Sequence, residues 1–379
     1  MQGGILLVLQ RAQLAGGSAP TMQITSHEGV EPVSINARLG CFFLATLLCT
    51  GGARAQLSSA PAPAADGKIH LDVVVTPRSG PPVGDLQQQD FTIVDNKTPR
   101  TITSFQVVTG REAPIRVVLV IDAINTTFTR ISIEREEISK FLRAEGGHLA
   151  YPIALAVFTD KGMQIVQNFS SDGNVLAGAL DKEDIGLRDM GRSAGYNGAI
   201  ERWQHSVQAL QQLVAGEAAL PGRKIMLWVS PGWPIASGAS AEYDTKQQKQ
   251  LFANIVSLST QLRQARITIY NIDPLGTSES LTRETYYKEF LKGISKPSQV
   301  TMGNLALQVL AVQSGGLVLS SANDVASLLQ QCLTDSAPYY EISFDPSTGA
   351  KADEYHHLEI KVAKPDLTAR TRQGYYAQP

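Results

Sequence analysis

The residues best placed to do chemistry follow an apolar run: Arg116-Val-Val-Leu-Val-Ile leads into Asp122, Ala123, Ile124, Asn125, Thr126 and Thr127. A buried parallel strand of this composition delivers a carboxylate and hydroxyls to the carboxyl edge of an α/β sheet, where such sheets bind ligands. Asp122, Asn125 and Thr126 therefore form either a small polar site or a self-contained turn, with Asp122 and Asn125 accepting hydrogen bonds from nearby backbone amides. A second apolar run, Lys224 to Val229, ends in Ser230-Pro231-Gly232-Trp233-Pro234 and brings a hydroxyl and a loop tryptophan to the same edge. Trp233 is expected either to pack down or to anchor a partner. Asp160, before Lys161-Gly162, and Asp273, before Pro274, end two further apolar runs and read as carboxylates that serve turns.

Other reactive groups do not assemble into a catalytic pattern. His70 falls in a β segment, His148 beside Gly146-Gly147, and His205 on a helix. His356 and His357 are adjacent in a terminal strand, so they point to opposite faces and do not readily chelate one metal. Cys332 lies mid-helix with no histidine at a helical spacing, which argues for a buried thiol rather than a nucleophile. The sequence holds no His-Glu-x-x-His, Gly-x-x-x-x-Gly-Lys or Cys-x-x-Cys. The expectation is a protein that is not an enzyme and holds no cofactor firmly.

With 33 basic and 35 acidic side chains among 379 residues, the chain has no basic field to draw nucleic acid. Arg38, the apolar stretch Leu39 to Thr50 and Ala53-Arg54-Ala55 have the order of a secretory signal, with cleavage expected after Ala55. The stretch is shorter than the roughly 20 residues that span a bilayer, so no membrane span is expected after cleavage. The mature protein is expected to be secreted or periplasmic. Met22 lies nearer the signal than Met1 and is a candidate start. Cys41 and Cys49 fall in the leader, which leaves Cys332 without a disulfide partner.

Residues 68–111 carry three short strands: Ile69 to Thr76, Phe91 to Val94 and Thr101 to Val108. Residues 112–337 alternate apolar runs with helical periodicity. Ile131, Ile138, Phe141 and Leu142 share one helix face, and Ile200, Trp203, Val207, Leu210 and Leu213 share another. Strands alternating with helices predict a doubly wound parallel sheet covered on both faces, able to stand alone. Residues 338–379 return to β with Tyr339 to Phe344, His357 to Val362 and Thr371 to Tyr376. Three strands at each end are too few for separate domains, so they are expected to pair into one six-stranded sandwich carrying the α/β domain as an insertion. The map is a leader (1–55), a small-residue, proline-containing linker (56–67), an N-terminal β segment (68–111), an α/β domain (112–337) and a C-terminal β segment (338–379).

Asp72-Val-Val-Val-Thr, Asp90-Phe-Thr-Ile-Val-Asp, the turn at Asp122, Pro221-Gly-Arg-Lys-Ile-Met-Leu-Trp-Val-Ser-Pro-Gly and the ending Gln373-Gly-Tyr-Tyr together resemble the von Willebrand factor type A (VWA) domain family. Within it, they look like the VWFA-related group of secreted bacterial proteins common in Acidobacteria. The resemblance implies a domain in which an Asp-x-Ser-x-Ser turn, a threonine from a second loop and an aspartate after the fourth strand hold a divalent cation that captures a partner's carboxylate. Asp122 and Thr126 match the first turn, but Ile124 replaces its first serine, and Pro231, beside Ser230, stands where the last aspartate belongs. The second loop offers Asp189, Ser193 and Asn197 but no clear threonine. The implied metal site is a degenerate one of Asp122, Thr126 and Ser230, binding Mg²⁺ or Mn²⁺ weakly if at all. The implied partner surface comprises Asp122, Asn125, Thr126, Ser193 and Trp233. The sequence thus points to a secreted, non-enzymatic binding or adhesion-type protein that recognises a protein or cell-surface partner. A metal-independent scaffold of a periplasmic or envelope assembly is the alternative, ahead of a hydrolase with an unrecognised site.

Overall fold

A computed structural model describes residues 67–109, 115–183, 195–234, 243–275, 286–321, 324–348 and 350–378. The expected leader, most of the expected linker and Ser193 lie outside the described residues. Four strands come first: β1 (Ile69–Pro77), β2 (Phe91–Asp95), β3 (Thr98–Arg100) and β4 (Ile102–Val108). The alternating region follows with β5 (Arg116–Asp122), α1 (Phe128–Arg143), β6 (His148–Thr159), β7 (Gly162–Asp172), α2 (Gly173–Lys182) and α3 (Gly195–Ala218). It continues with β8 (Lys224–Val229), α4 (Thr245–Gln264), β9 (Ile267–Asp273), α5 (Leu307–Gln313), β10 (Val318–Ser320) and α6 (Val325–Thr334). The chain closes with β11 (Tyr339–Phe344), β12 (Tyr355–Val362), β13 (Leu367–Arg370) and β14 (Gly374–Tyr376).

The middle region folds as a six-stranded sheet in the order β10-β9-β8-β5-β6-β7, parallel except for the edge strand β7. The chain enters at β5, winds outward through β6 and β7, then returns to β8 on the other side. This is the doubly wound fold expected from the sequence, and it puts the topological switch point between β5 and β8. Both faces are covered, which is why the strands are near-continuous apolar runs. Val117, Leu119 and Ile121 pack against α1, α2 and α6 through Ile138, Leu176 and Leu329. Val118 and Val120 pack against α3, α4 and α5 through Leu210, Leu258 and Leu307.

The strands from the two ends of the described chain mix in two antiparallel sheets, β13-β1-β11-β4 and β14-β12-β2-β3. Leu71, Val73, Phe91, Ile93, Ile342, Phe344 and Leu358 fill the space between them. The sandwich has eight strands rather than the expected six. Asn96 and Lys97 both adopt positive φ, 46° and 70°, so the chain reverses in a two-residue turn and adds β3 to β2. Near the C-terminus, β13 lies ahead of the expected strand Thr371 to Tyr376, of which only Gly374–Tyr376 forms, as β14. β13 pairs with β1, the chain crosses between sheets, and β14 pairs with β12.

The α/β part and the sandwich share their cores. Val74, Val108 and Tyr339 belong to one apolar cluster of the central sheet, and Tyr376 to the other. Arg266, just before β9, pairs with both Asp72 and Glu341 of the sandwich, while Arg370 of β13 pairs with Asp335 after α6. All described residues fall within one compact unit, Ser58–Pro379. None of the described helices is long and apolar enough to cross a membrane.

Candidate functional site at the sheet switch point

Asp122 ends β5 and Ser230 follows β8, so both sit at the carboxyl edge beside the switch point, where open α/β sheets take ligands. Here the chain's own side chains fill that crevice. Asp122 is fully buried and accepts five hydrogen bonds. The Ser230 hydroxyl donates to Oδ2 at 2.8 Å and the Trp228 indole at 3.1 Å. The Asn125 amide nitrogen donates to Oδ2 at 2.9 Å and Oδ1 at 3.1 Å, and the Asn125 backbone N–H reaches Oδ1 at 3.1 Å. Asn125 also donates to Ser206 of α3 at 3.0 Å, tying the turn to the helix over β8. Burial pushes the Asp122 carboxyl above its ordinary range, opposed by the bonds from Asn125, Ser230 and Trp228.

The sequence-expected residues therefore meet, but largely below the surface. Asp122 and Ser230 are fully buried, Thr126 is buried and Asn125 half-buried. Trp233, expected as a contact residue, packs down instead. It is 2% exposed, with its ring edge-on to Trp228 at 5.5 Å. Its position follows from Gly232, whose φ of 99° turns the loop inward and whose missing side chain leaves room for Gln308 of α5. Gln308 donates to the Pro231 carbonyl at 3.3 Å and accepts from Tyr286 at 3.1 Å, plugging the crevice from the α5 side.

This arrangement does not fit a tight divalent-cation site. A carboxylate has about four lone-pair positions, and those of Asp122 are taken up by donors. Ser230 already donates to Asp122 and accepts from the Gly232 amide at 3.1 Å. The described residues contain no cluster of three or more His, Cys, Asp or Glu able to hold a metal ion. Asp122 is instead the acceptor that fixes the turn. Asp122→Ala strands the Trp228, Ser230 and Asn125 donors and is expected to cost about 3 kcal/mol in urea denaturation, since bonds to a charged acceptor contribute more than neutral ones. A cost within error of zero would contradict that role.

One residue at this edge escaped the sequence reading. Glu134 of α1 is 1% exposed, and neither carboxylate oxygen has a hydrogen-bond partner. Burial pushes its carboxyl up to about 8, reinforced by the charges of Asp122 and Asp273 and opposed by Arg130. The Thr126 hydroxyl is near enough to oppose the rise as well, yet it falls outside hydrogen-bonding geometry and is itself unpaired. The signal was present: Glu134 occupies the position between Ile131 and Ile138 on the apolar stripe of α1, where a carboxylate has no routine place. Asp273 accepts from the Leu275 amide at 2.9 Å, the turn-fixing role its sequence suggested.

A second buried network lies inside the sandwich, away from this edge. Asp95 accepts from Tyr375 at 3.1 Å and Ser347 at 3.2 Å, pairs with Arg100 at 3.2 Å and bonds His356 Nδ1 at 2.8 Å. His356 is buried and stacked on Tyr375, whereas His357 is exposed, so the adjacent histidines do face opposite ways.

No protein-family model matches the chain, and no curated protein matches it. Similar solved structures include manganese-loaded TRAP protein of Plasmodium vivax, at 8% identity and TM-score 0.35, covering 73% of this chain and 100% of that one. The VWA domain of SpRpn10 matches at 11% identity and TM-score 0.26, covering 59% of this chain and 95% of that one. Proximal thread matrix protein 1 of the mussel byssus matches at 13% identity and TM-score 0.33, covering 70% of this chain. The chain spans about half the length of that mussel protein, 50%. At these similarities the functional reading rests on the chain's own geometry.

Proposed function

We propose that this protein is a secreted, non-enzymatic binding protein whose type A-like α/β unit meets a protein or cell-surface partner with the loops of its carboxyl edge, without a metal bridge. The observation that carries the reading is the closure of the switch-point crevice by the Asp122 network, Trp233 and Gln308. A crevice filled from within offers no reacting group to a small substrate, so recognition falls to the surface around it. That surface includes an open groove of about 460 Å³ at the start of α4, lined by Thr245, Lys246, Lys249 and Gln250. Its two lysines suit an acidic partner segment. Export is supported by the signal-like order of Arg38, the apolar stretch and Ala53-Arg54-Ala55.

Affinity capture from envelope extract, with and without chelator, tests the reading against a Lys246→Glu, Lys249→Glu double variant. The expected result is a partner retained in chelator and lost with the double variant. Capture that requires Mg²⁺, or that survives the charge reversal, overturns it. Calorimetric titration with Mg²⁺ and Mn²⁺ is expected to show no binding tighter than about millimolar, the range of the weakest oxygen-ligand sites.

A further inference from the structure

Gln308, the second residue of α5, is held against the loop after β8 as a bound ligand would be. Its amide nitrogen donates to the Pro231 carbonyl at 3.3 Å, and its amide oxygen accepts from the Tyr286 hydroxyl at 3.1 Å. Between those bonds, Nε2, Cδ and Oε1 all lie in the space that a Cβ on Gly232 would need. An acceptor for the N–H, a donor for the C=O and a floor with no side chain are the parts of a carboxamide-binding site. They come from separate pieces of chain, the loop after β8 and the short helical turn Tyr286–Phe290. Gln308 itself is buried, but Gly232 and Tyr286 are only half-buried, so the mouth of the site reaches the surface.

Gln308 is weakly held there. Both bonds join neutral groups, and the one to Pro231 is long. Closure also leaves two buried polar atoms of the same region without partners, Trp233 Nε1 and Asn271 Oδ1, although Asn271 Nδ2 bonds the Ser230 carbonyl at 2.9 Å. An incoming amide can replace Gln308 bond for bond. A carboxylate cannot, because it lacks the N–H that the Pro231 carbonyl accepts. We propose that Pro231, Gly232 and Tyr286 form a carboxamide-binding site for an asparagine or glutamine side chain of the partner, and that Gln308 is its internal competitor, shutting the site until the partner displaces it. The proposal rests on the reading of the carboxyl edge as the partner-facing surface and adds its regulation.

Calorimetric titration of the full chain with N-acetylglutamine methylamide, and with its glutamate counterpart, tests the site without the partner. Gln308→Ala removes the competitor and is expected to bind the glutamine compound about tenfold more tightly than the parent does, the order expected of two neutral hydrogen bonds. The variant is also expected to prefer it to the glutamate compound. Adding Tyr286→Phe is expected to weaken the glutamine compound about fivefold, the effect of one such bond. No binding by Gln308→Ala, equal binding of the two compounds, or binding by the parent as tight as by the variant overturns the proposal. Hydrogen exchange at the Gly232 amide, which donates to the Ser230 hydroxyl at 3.1 Å, decides the matter even where Gln308→Ala fails to fold. In the parent that amide is expected to exchange by local opening, at a rate insensitive to low urea. Exchange through global unfolding alone means that Gln308 does not leave, and overturns its role as competitor. With the glutamine compound bound by Gln308→Ala, an empty capture from envelope extract overturns the wider reading of the surface and leaves this site standing.

Discussion

Glu134→Gln is expected to remove most of the loss of stability that the parent protein suffers as pH rises from about 5 to 9. The cause is a carboxyl moved from an ordinary 4.5 to about 8, chiefly by burial and then by the charges of Asp122 and Asp273. Between those values the folded chain holds a proton that the unfolded chain releases, so stability falls with pH. The contribution is fully present below the unfolded value of 4.5 and lost as pH climbs through about 8. A shift of that size corresponds to a swing on the order of 5 kcal/mol, at 1.36 kcal/mol for each pKa unit. Glutamine keeps the shape and stays neutral, so the variant should match the parent near pH 5 and exceed it at pH 9. Urea denaturation of both proteins at pH 5, 7 and 9 measures the difference, and parallel curves across that range would sink the idea.

The alternation of strand and helix was legible because both periods are local. Residues two or three to four apart decide which face is apolar, and a strand covered on both sides reads as one apolar run. β8 and β11 lie where the sequence put them, Lys224–Val229 and Tyr339–Phe344. The carboxyl-edge site was legible as far as Asp122, Asn125, Thr126 and Ser230, which do gather there. The use to which the site is put was not, because that depends on partners distant in sequence. Trp228 reads as a core residue and is one, yet its indole also donates to Asp122, 106 positions away. Trp233 sits in a loop flanked by prolines, and nothing local foretells that Gln308, 76 positions past Gly232, fills the space over that glycine as the loop turns inward. The charged junction was hidden for the same reason: Asp72 and Arg266 lie 194 positions apart. Glu134 is the exception, because its signal is local. It interrupts an apolar stripe, and a carboxylate in that place demands either a partner or a proton.

Removing Pro338 to Pro379 is expected to leave no soluble folded protein, the largest effect any change proposed for this chain should have. The deletion takes β11 from between β1 and β4, and β12 from between β14 and β2. β1 and β4 then lose their shared neighbour, and Leu71, Val73, Phe91 and Ile93 lose the apolar face of Tyr340, Ile342, Phe344 and Leu358 that covers them. Open strand edges beside an uncovered apolar face favour aggregation. The α/β region from 112 to 337, expected from sequence to stand alone, is tied in as well. Cutting it out removes Val74, Val108, Tyr339 and Tyr376 from its two cores and leaves Arg266 and Asp335 without their ion-pair partners. Breaking a partly buried pair on one side costs more than the pair itself contributes, because the remaining charge keeps its desolvation cost. Limited proteolysis and size-exclusion chromatography of residues 68–379, 68–337 and 112–337 compare these outcomes. Only the first is expected to give a monodisperse, resistant species. If 68–337 resists protease as well as 68–379 does, the C-terminal strands are dispensable and the shared sandwich does not hold the two ends of the chain together.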